Sequence, residues 1–179
     1  IAVLFMSACG PASSAETASD SPAAYIENKG SDTIVNLALA WAERYQGDHP
    51  NVRISVTGGG SGTGIAALIN GGTDICEASR PMKDKEKQLV LKRHRKDVIE
   101  IPVALDGIAV YVQQSSSIEY LTMAQLKSIY TGTINNWRDV GGKDQRIVAY
   151  SRENNSGTYV FFKEHVLNNE DFAREVQTL

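Results

Sequence analysis

Three short segments rich in glycine and hydroxyl residues have the composition of anion-binding loops. Glycines let backbone N–H groups approach an anion, hydroxyls donate hydrogen bonds, and an arginine offers a bidentate fork. Each segment alone is more typical of a helix cap, but three of them favour a site for one small oxyanion, held mainly by charge-assisted hydrogen bonds. The segments are GSDT (30–33), GGGSGTG (58–64) and SGT (156–158), the last with Arg152 four residues before Ser156.

The glycine-rich segment does not fit the known nucleotide loops. A dinucleotide fold needs glycine at positions i, i+2 and i+5, and counting from Gly58 or Gly60 places the last position on Thr63 or Ile65. The P-loop of nucleoside triphosphatases ends in Gly-Lys-Ser/Thr, whereas Gly64 is followed by Ile65. The spacing therefore excludes a nucleotide site and leaves a free anion as the ligand.

Composition and charge indicate no other ligand class. The net charge of -3 gives no bulk attraction for nucleic acid, and we interpret the basic run RHRK (93–96) as a solvated helix face. The two cysteines, Cys9 and Cys76, form no CxxC motif, and the three histidines are scattered without ligand spacing. We expect no metal, no cofactor and no nucleic-acid partner.

Helix and strand patterns alternate along the chain and position these segments. The alternation predicts an α/β fold with a largely parallel sheet, in which loops at the carboxyl ends of strands bind ligands. Ser31 or Asp32 is the expected N-cap of the first helix. We expect helices over 34–47, 65–70, 83–96, 122–130 and 159–167, strands over 52–56, 73–79 and 146–150, and two β-rich runs between 98 and 114 broken at Asp106–Gly107.

The first 24 residues differ in composition from the rest. Residues 1–9 (IAVLFMSAC) form an apolar run that resembles the end of a bacterial lipoprotein signal, and residues 10–24 have no hydrophobic periodicity and predict a flexible tether. The resemblance makes Cys9 the lipidated residue, which would hold the protein in the periplasm or on the outer face of the cytoplasmic membrane. The alternative is a frayed apolar end with an incidental cysteine.

A series of motifs carries a family resemblance from about Tyr25 to Leu179. The motifs are GSDT (30–33), GSG (60–62), ASR (78–80), DGIAV (106–110), INNW (134–137) and RxxxSGT (152–158), in this order. Together they resemble the phosphate-binding proteins of bacterial ABC phosphate importers. The resemblance implies a two-lobed periplasmic-binding-protein-like α/β fold with a hinge. It implies a first lobe over 25–104, then the hinge crossing and the start of a truncated second lobe over 105–179.

The same resemblance implies which residues bind phosphate. One departure concerns Arg80, because the best-known branch of the family has an acidic residue there to accept the proton of phosphate. Asp106 is our candidate for this acceptor, although an Asp before Gly is also typical of a turn, and Asp32 is the alternative. The expected phosphate-binding residues are Ser31, Asp32, Thr33, Ser61, Ser79, Arg80, Asp106, Arg152, Ser156, Gly157 and Thr158.

The resemblance implies a monomeric, non-enzymatic protein that binds inorganic phosphate and delivers it to the permease of an ABC transporter. Three alternatives stay open at this point: a receptor for another tetrahedral oxyanion, a phosphate sensor, and a phosphatase. A phosphatase would use Ser156 as its nucleophile, but no histidine is near it in sequence to activate it. An adhesion or structural lipoprotein would leave the three anion-ready segments unexplained.

Overall fold

The computed structural model describes residues 24–179 of the 179-residue chain. The predictions for residues 1–9, for Cys9 and for nearly all of the tether lie outside the described residues. Ala24, the last residue of the predicted tether, is the first residue of a strand. Within the described part of the chain, no helix combines the length and apolar character that a membrane crossing requires.

The first half of the described chain is a three-stranded parallel sheet with helices between the strands. The sheet order is β2-β1-β3, and Gly30 pairs with Glu77 while Lys29 pairs with Thr57. The carboxyl ends of the three strands therefore lie side by side, and the segments that follow them leave from one edge. The elements are β1 (Ala24–Gly30), α1 (Val35–Asp48), β2 (Val52–Thr57), α2 (Ser61–Asn70), β3 (Ile75–Glu77) and α3 (Asp84–His94).

A small apolar core lies between α2, α3 and one face of the sheet. Its buried members are Ile65, Met82 and Val90, and Leu68, Ile69, Cys76 and Val98 pack against them. Backbone contact is close here, because a Cβ on Gly64 would lie 2.4 Å from the carbonyl oxygen of Lys29 and 2.6 Å from Cα of Gly30. This packing presses the first turn of α2 onto β1, which fixes Ser61 next to the end of that strand.

The second half contains shorter elements around an aromatic cluster. Tyr130, Phe162 and Phe172 make edge and stacked contacts with ring centroids 4.8–5.9 Å apart. The two strands pair in parallel, Tyr150 with Gln177 and Ser151 with Thr178. The elements are α4 (Met123–Tyr130), a 3-10 helix (Trp137–Val140), β4 (Tyr150–Ser151), α5 (Gly157–His165) and β5 (Gln177–Thr178).

Several sequence predictions are confirmed. Helix α4 has the predicted capping box, because the hydroxyl of Thr122 accepts from N–H of Gln125 and the side chain of Gln125 accepts from N–H of Thr122. Strand β2 covers the predicted 52–56, and all three strand pairs are parallel, as the alternating pattern indicated.

Other predictions are wrong. The N-cap of α1 is Ile34 and not Ser31 or Asp32, because residues 32–34 form a turn before the helix, and the hydroxyl of Ser31 accepts from N–H of Thr33 within that turn. Helix α2 begins at Ser61, four residues earlier than predicted. The β-rich runs between 98 and 114 form no strand, and Leu105 there is fully exposed, because the described residues provide no neighbouring strand to pair with them.

We expect Gly64→Ala to lower the free energy of unfolding by about 1–3 kcal/mol, since its methyl group would overlap the backbone of β1. Gly47→Ala is the matched control, because a Cβ on Gly47 meets nothing within 4 Å. Alanine there should raise the stability by up to about 1 kcal/mol through helix propensity. Urea unfolding of both variants measures the difference, and equal midpoints would contradict this account of the packing.

Candidate functional site

The three predicted anion-binding segments lie at the sheet edge and the start of α5, and each contributes a buried serine. Ser31 follows β1, Ser61 is the first residue of α2, and Ser156 is the N-cap of α5; their exposed fractions are 2%, 0% and 4%. A serine that is buried at the start of a helix can direct its hydroxyl and the adjacent N–H groups toward one point. The structure therefore supports a shared polar site.

Gly157 lies in close contact with the first half of the chain. A Cβ on Gly157 would lie 2.3 Å from Oγ of Ser79 and 2.5 Å from Oγ of Ser61. The two hydroxyls are 3.1 Å apart, and Oγ of Ser61 also accepts from N–H of Ser79 at 3.0 Å. Only glycine fits at this position, and the first turn of α5 meets both hydroxyls.

Asp32 and Arg152 form the charged side of the site. Their side chains are 44% and 42% exposed, and Nη2 of Arg152 lies 3.3 Å from Oδ2 of Asp32. The other carboxylate oxygen, Oδ1, accepts from N–H of Gly59 at 2.7 Å. A half-exposed ion pair contributes at most about 1 kcal/mol, so an incoming anion can compete with Asp32 for the guanidinium group.

The glycine-rich segment (58–64), predicted to bind an anion, also contacts the carboxylate of Asp32. A Cβ on Gly58 would lie 2.5 Å from Oδ1 of Asp32, and Gly59 and Gly60 have φ angles of 113° and 91°, which favour glycine. The bare backbone is needed for a close approach at Gly58 and for left-handed conformations at the next two positions. One of its N–H groups, that of Gly59, already donates to Asp32.

Asn155 joins the two halves of the chain and was missed by the sequence analysis. Its carbonyl oxygen accepts from N–H of Gly62 at 2.9 Å, and its side-chain amide donates to the carbonyl oxygen of Gly59 at 3.0 Å. A longer contact of 3.4 Å reaches Oγ1 of Thr63. No signal in the sequence distinguished it, because an asparagine before SGT is equally typical of an ordinary turn.

Arg80 is directed to α3 and not to the serines. Both of its terminal nitrogens donate to the carboxylate of Glu86, at 2.9 and 2.8 Å, and one also donates to the carbonyl oxygen of Pro81. The hydrogen bond to Glu86 raises the pKa of Arg80, and the same contact lowers the pKa of Glu86. Such a bidentate pair holds the loop after Ser79 in place, so the structure gives Arg80 a positioning role.

Asp106 lies in the exposed segment without regular structure. Its Oδ1 accepts from N–H of Gly107, the next residue, at 2.8 Å. The contacts found among residues 24–179 do not join Asp106 to the serines or to Arg152, whereas Asp32 contacts Arg152 directly. Of the two candidate acceptors, the structure brings only Asp32 to the site.

The remaining predicted residues lie at the start of the two helices. Thr33 is exposed, and its N–H donates to the hydroxyl of Ser31 at 3.2 Å. Thr158 is half-buried in the first turn of α5. Their roles as ligands stay predictions.

Glu77 is a second residue that sequence reasoning missed. It ends β3, it is 7% exposed, and neither carboxylate oxygen has a hydrogen-bond partner among the described residues. Burial, and secondly the negative charge of Asp32, raise the pKa of Glu77 to about 7. No residue pattern signalled this, because a glutamate before ASR is unremarkable until the fold buries it.

No metal-binding cluster is formed within 24–179, where no group of three or more His, Cys, Asp or Glu side chains is arranged to hold an ion. Burial raises the pKa of the Cys76 thiol to about 11, so this thiol stays protonated at neutral pH and packs as an apolar group.

A family model decides the classification: a PBP superfamily domain matches residues 15–176. The chain belongs to the PBP superfamily. The two-lobed periplasmic-binding fold expected from the motifs is confirmed at the level of fold class, as is the resemblance to phosphate-binding proteins of ABC transporters.

Curated relatives of this PBP superfamily chain include the phosphate-binding proteins PstS of Staphylococcus haemolyticus and Staphylococcus aureus. The first is 38% identical over 154 residues, which cover 83% of this chain and 48% of the relative. The second is 35% identical over 177 residues, or 97% of this chain and 54% of the relative. The chain thus spans about half the length of the curated relatives it matches.

Two solved structures are also similar. One is a Clostridium perfringens protein described as a phosphate ABC transporter substrate-binding protein with bound phosphate, at 35% identity and a TM-score of 0.75. The alignment covers 86% of this chain and 61% of that one. The other, an ABC-type phosphate transport receptor from Vibrio cholerae, has 31% identity and a TM-score of 0.69 over 86% and 62% of the two chains.

We expect Asn155→Ala to lower the free energy of unfolding by about 1–2 kcal/mol, since it removes the side-chain hydrogen bond between the two halves of the chain and leaves a carbonyl group unpaired. Asn154→Ala, at the exposed neighbouring residue, is the control and should change stability by less than about 0.5 kcal/mol. Thermal unfolding of both variants tests this, and indistinguishable midpoints would show that the side chain of Asn155 does not stabilise the contact between the halves.

Proposed function

We propose that this chain carries the anion site of an extracytoplasmic phosphate-binding protein, which delivers inorganic phosphate to the permease of an ABC transporter. The observation that carries the proposal is the convergence of Ser61, Ser79 and Gly157 beside the pair of Arg152 and Asp32. The names of the relatives and the phosphate bound in the Clostridium perfringens structure support phosphate as the ligand. A monomeric state and a lipid anchor at Cys9 belong to the same proposal.

In this proposal, phosphate takes its donors from both halves of the chain. The hydroxyls of Ser31, Ser61 and Ser156 and the first N–H groups of α5 are short-range donors, and the buried surroundings make these hydrogen bonds strong. Arg152 turns from Asp32 to the anion and supplies the charge-assisted fork. Thr33 and Thr158 add hydroxyls at the rim.

Asp32 makes the site selective. Phosphate at neutral pH carries a proton to donate, whereas sulfate carries none, so a fixed carboxylate accepts a hydrogen bond from phosphate and repels sulfate. Asp32 is suited to this because Gly59 holds its Oδ1, while among the described residues Oδ2 is bound by Arg152 alone, the residue that the anion would engage. This supports Asp32 over Asp106 as the acceptor.

A phosphatase is the weakest alternative. Each described histidine has a contact elsewhere: His49 stacks on Tyr45, His94 contacts the carbonyl oxygen of Ile69, and His165 stacks on Phe161. A serine nucleophile needs such a base within hydrogen-bond reach. A receptor for another oxyanion, or a sensor that signals without transport, would use the same geometry, and anion competition separates the first of these from phosphate binding.

Calorimetric titration of the full natural chain tests the ligand. We expect heat of binding with phosphate and arsenate and at least tenfold weaker binding of sulfate. Arg152→Lys should weaken phosphate binding by about tenfold or more, since the bidentate fork is lost. Arg138→Lys, at an exposed pair with Asp144, is the control and should bind as the wild type does. Absence of heat with phosphate would refute the proposed ligand, and release of product from p-nitrophenyl phosphate would point to an enzyme.

Competition between phosphate and sulfate tests the acceptor. Asp32→Asn should reduce the preference for phosphate by about tenfold, because the amide no longer repels sulfate and leaves Arg152 without its carboxylate. Asp106→Asn is the matched control and should keep the wild-type preference. The reverse result, with selectivity lost only in Asp106→Asn, would assign the acceptor to Asp106.

A further inference from the structure

The side chain of Glu77 lies at the edge of the candidate anion site. Glu77 pairs with Gly30 in the sheet, and its carbonyl oxygen accepts from N–H of Ser31 at 2.9 Å. A Cβ on Gly30 would lie 3.0 Å from Cγ of Glu77. The carboxyl group therefore extends from beside Gly30, the residue that immediately precedes Ser31 and Asp32.

The charged groups around Glu77 give its ionised form no support. Asp32, on the loop after β1, is the charged group that acts on it, and it is negative. On the sheet, Lys29 and Cys76 pair with each other, so both lie on the opposite face from Glu77. Helix α2 carries no charged residue. The charged residues of α1, which are Glu43, Arg44 and Asp48, are exposed in its second half, and Arg44 is paired with Asp48.

The basic groups on the neighbouring loops are already paired. The guanidinium group of Arg80 is bound to Glu86, and that of Arg152 is bound to Asp32. Among the described residues no cation compensates a charge on Glu77, and neither of its oxygens accepts a hydrogen bond. Burial and Asp32 together favour the neutral acid, and they raise the pKa of Glu77 to about 7.

We propose that Glu77 makes the affinity of the site for phosphate depend on pH. When Glu77 is protonated, the site contains one carboxylate, Asp32, and binds the anion tightly. When Glu77 ionises, a second negative charge next to Asp32 opposes the anion. This proposal rests on the proposed function, because it concerns the same site.

Thermodynamic linkage sets the size and the sign of the effect. If the negative charge of Glu77 weakens binding, then bound phosphate must favour its protonated form and raise its pKa further. A group that titrates near 7 in the free protein and well above 8 in the complex lowers the affinity by up to about tenfold between pH 6 and pH 8. Phosphate itself titrates in this range, so a matched variant is needed to isolate the contribution of Glu77.

The test is the dissociation constant of phosphate between pH 6 and pH 8 for the full natural chain and for Glu77→Gln. Glutamine has the shape and the neutral charge of the protonated acid. The titration of phosphate is common to both proteins and cancels in the ratio of their constants. We expect both to bind alike at pH 6, and the wild type to bind about three- to tenfold more weakly than Glu77→Gln at pH 8. Glu43 is an exposed glutamate on α1. For the control Glu43→Gln, the ratio of its dissociation constant to that of the wild type should stay constant between pH 6 and pH 8.

A second measurement does not depend on the variant. Carbon NMR of the Glu77 carboxyl group in the wild-type protein should show a pKa that rises when phosphate is added. A constant ratio, or a carboxyl group that titrates below pH 5.5 with and without phosphate, would overturn the proposal while phosphate binding stands. A wild-type protein that does not bind phosphate at any pH would refute the proposed function and this proposal together.

Discussion

The backbone of α5 approaches Ser61 and Ser79 so closely that no side chain fits at Gly157. This single contact joins the ends of β2 and β3 to the start of a helix about a hundred residues later in the chain. The hydrogen bonds of Asn155 to the glycine-rich loop and the pair of Arg152 with Asp32 lie on either side of it. The site is therefore a junction between two packed halves and does not belong to either one.

The parallel sheet positions the residues of the first half that meet α5. Because β1 lies between β2 and β3, the segments after all three strands leave from one edge, and the packing of Gly64 on β1 keeps Ser61 there. The same register places Glu77 next to Gly30. The candidate site, rich in N–H groups and hydroxyls, thus also contains two carboxylates: Asp32, which contacts arginine, and Glu77, which is buried and has no hydrogen-bond partner among residues 24–179.

Local patterns predicted most of the helices and their order. Thr122 and Gln125 form a capping box from residues three apart, so the sequence contains all the information needed for the start of α4. Prediction failed where distant residues decide. The runs between 98 and 114 have strand composition, yet a strand exists only where another strand pairs with it. Ser31 has the chemistry of an N-cap, but its N–H donates to the carbonyl oxygen of Glu77 at the sheet edge, and α1 begins only at Val35.

The sequence by itself determined the class of chemistry. Serines, glycines and an arginine at helix starts favour an oxyanion wherever such helices meet, because the donors belong to the local backbone and side chains. Only the tertiary structure decided where the charged residues lie. Arg80 is bound to Glu86, Asp106 is exposed, Asp32 contacts Arg152, and Glu77 is buried with no partner in the described part of the chain. The reason is physical: the charge and the role of an ionisable side chain depend on burial and on neighbours from distant parts of the chain, and the order of residues does not reveal these before the chain folds.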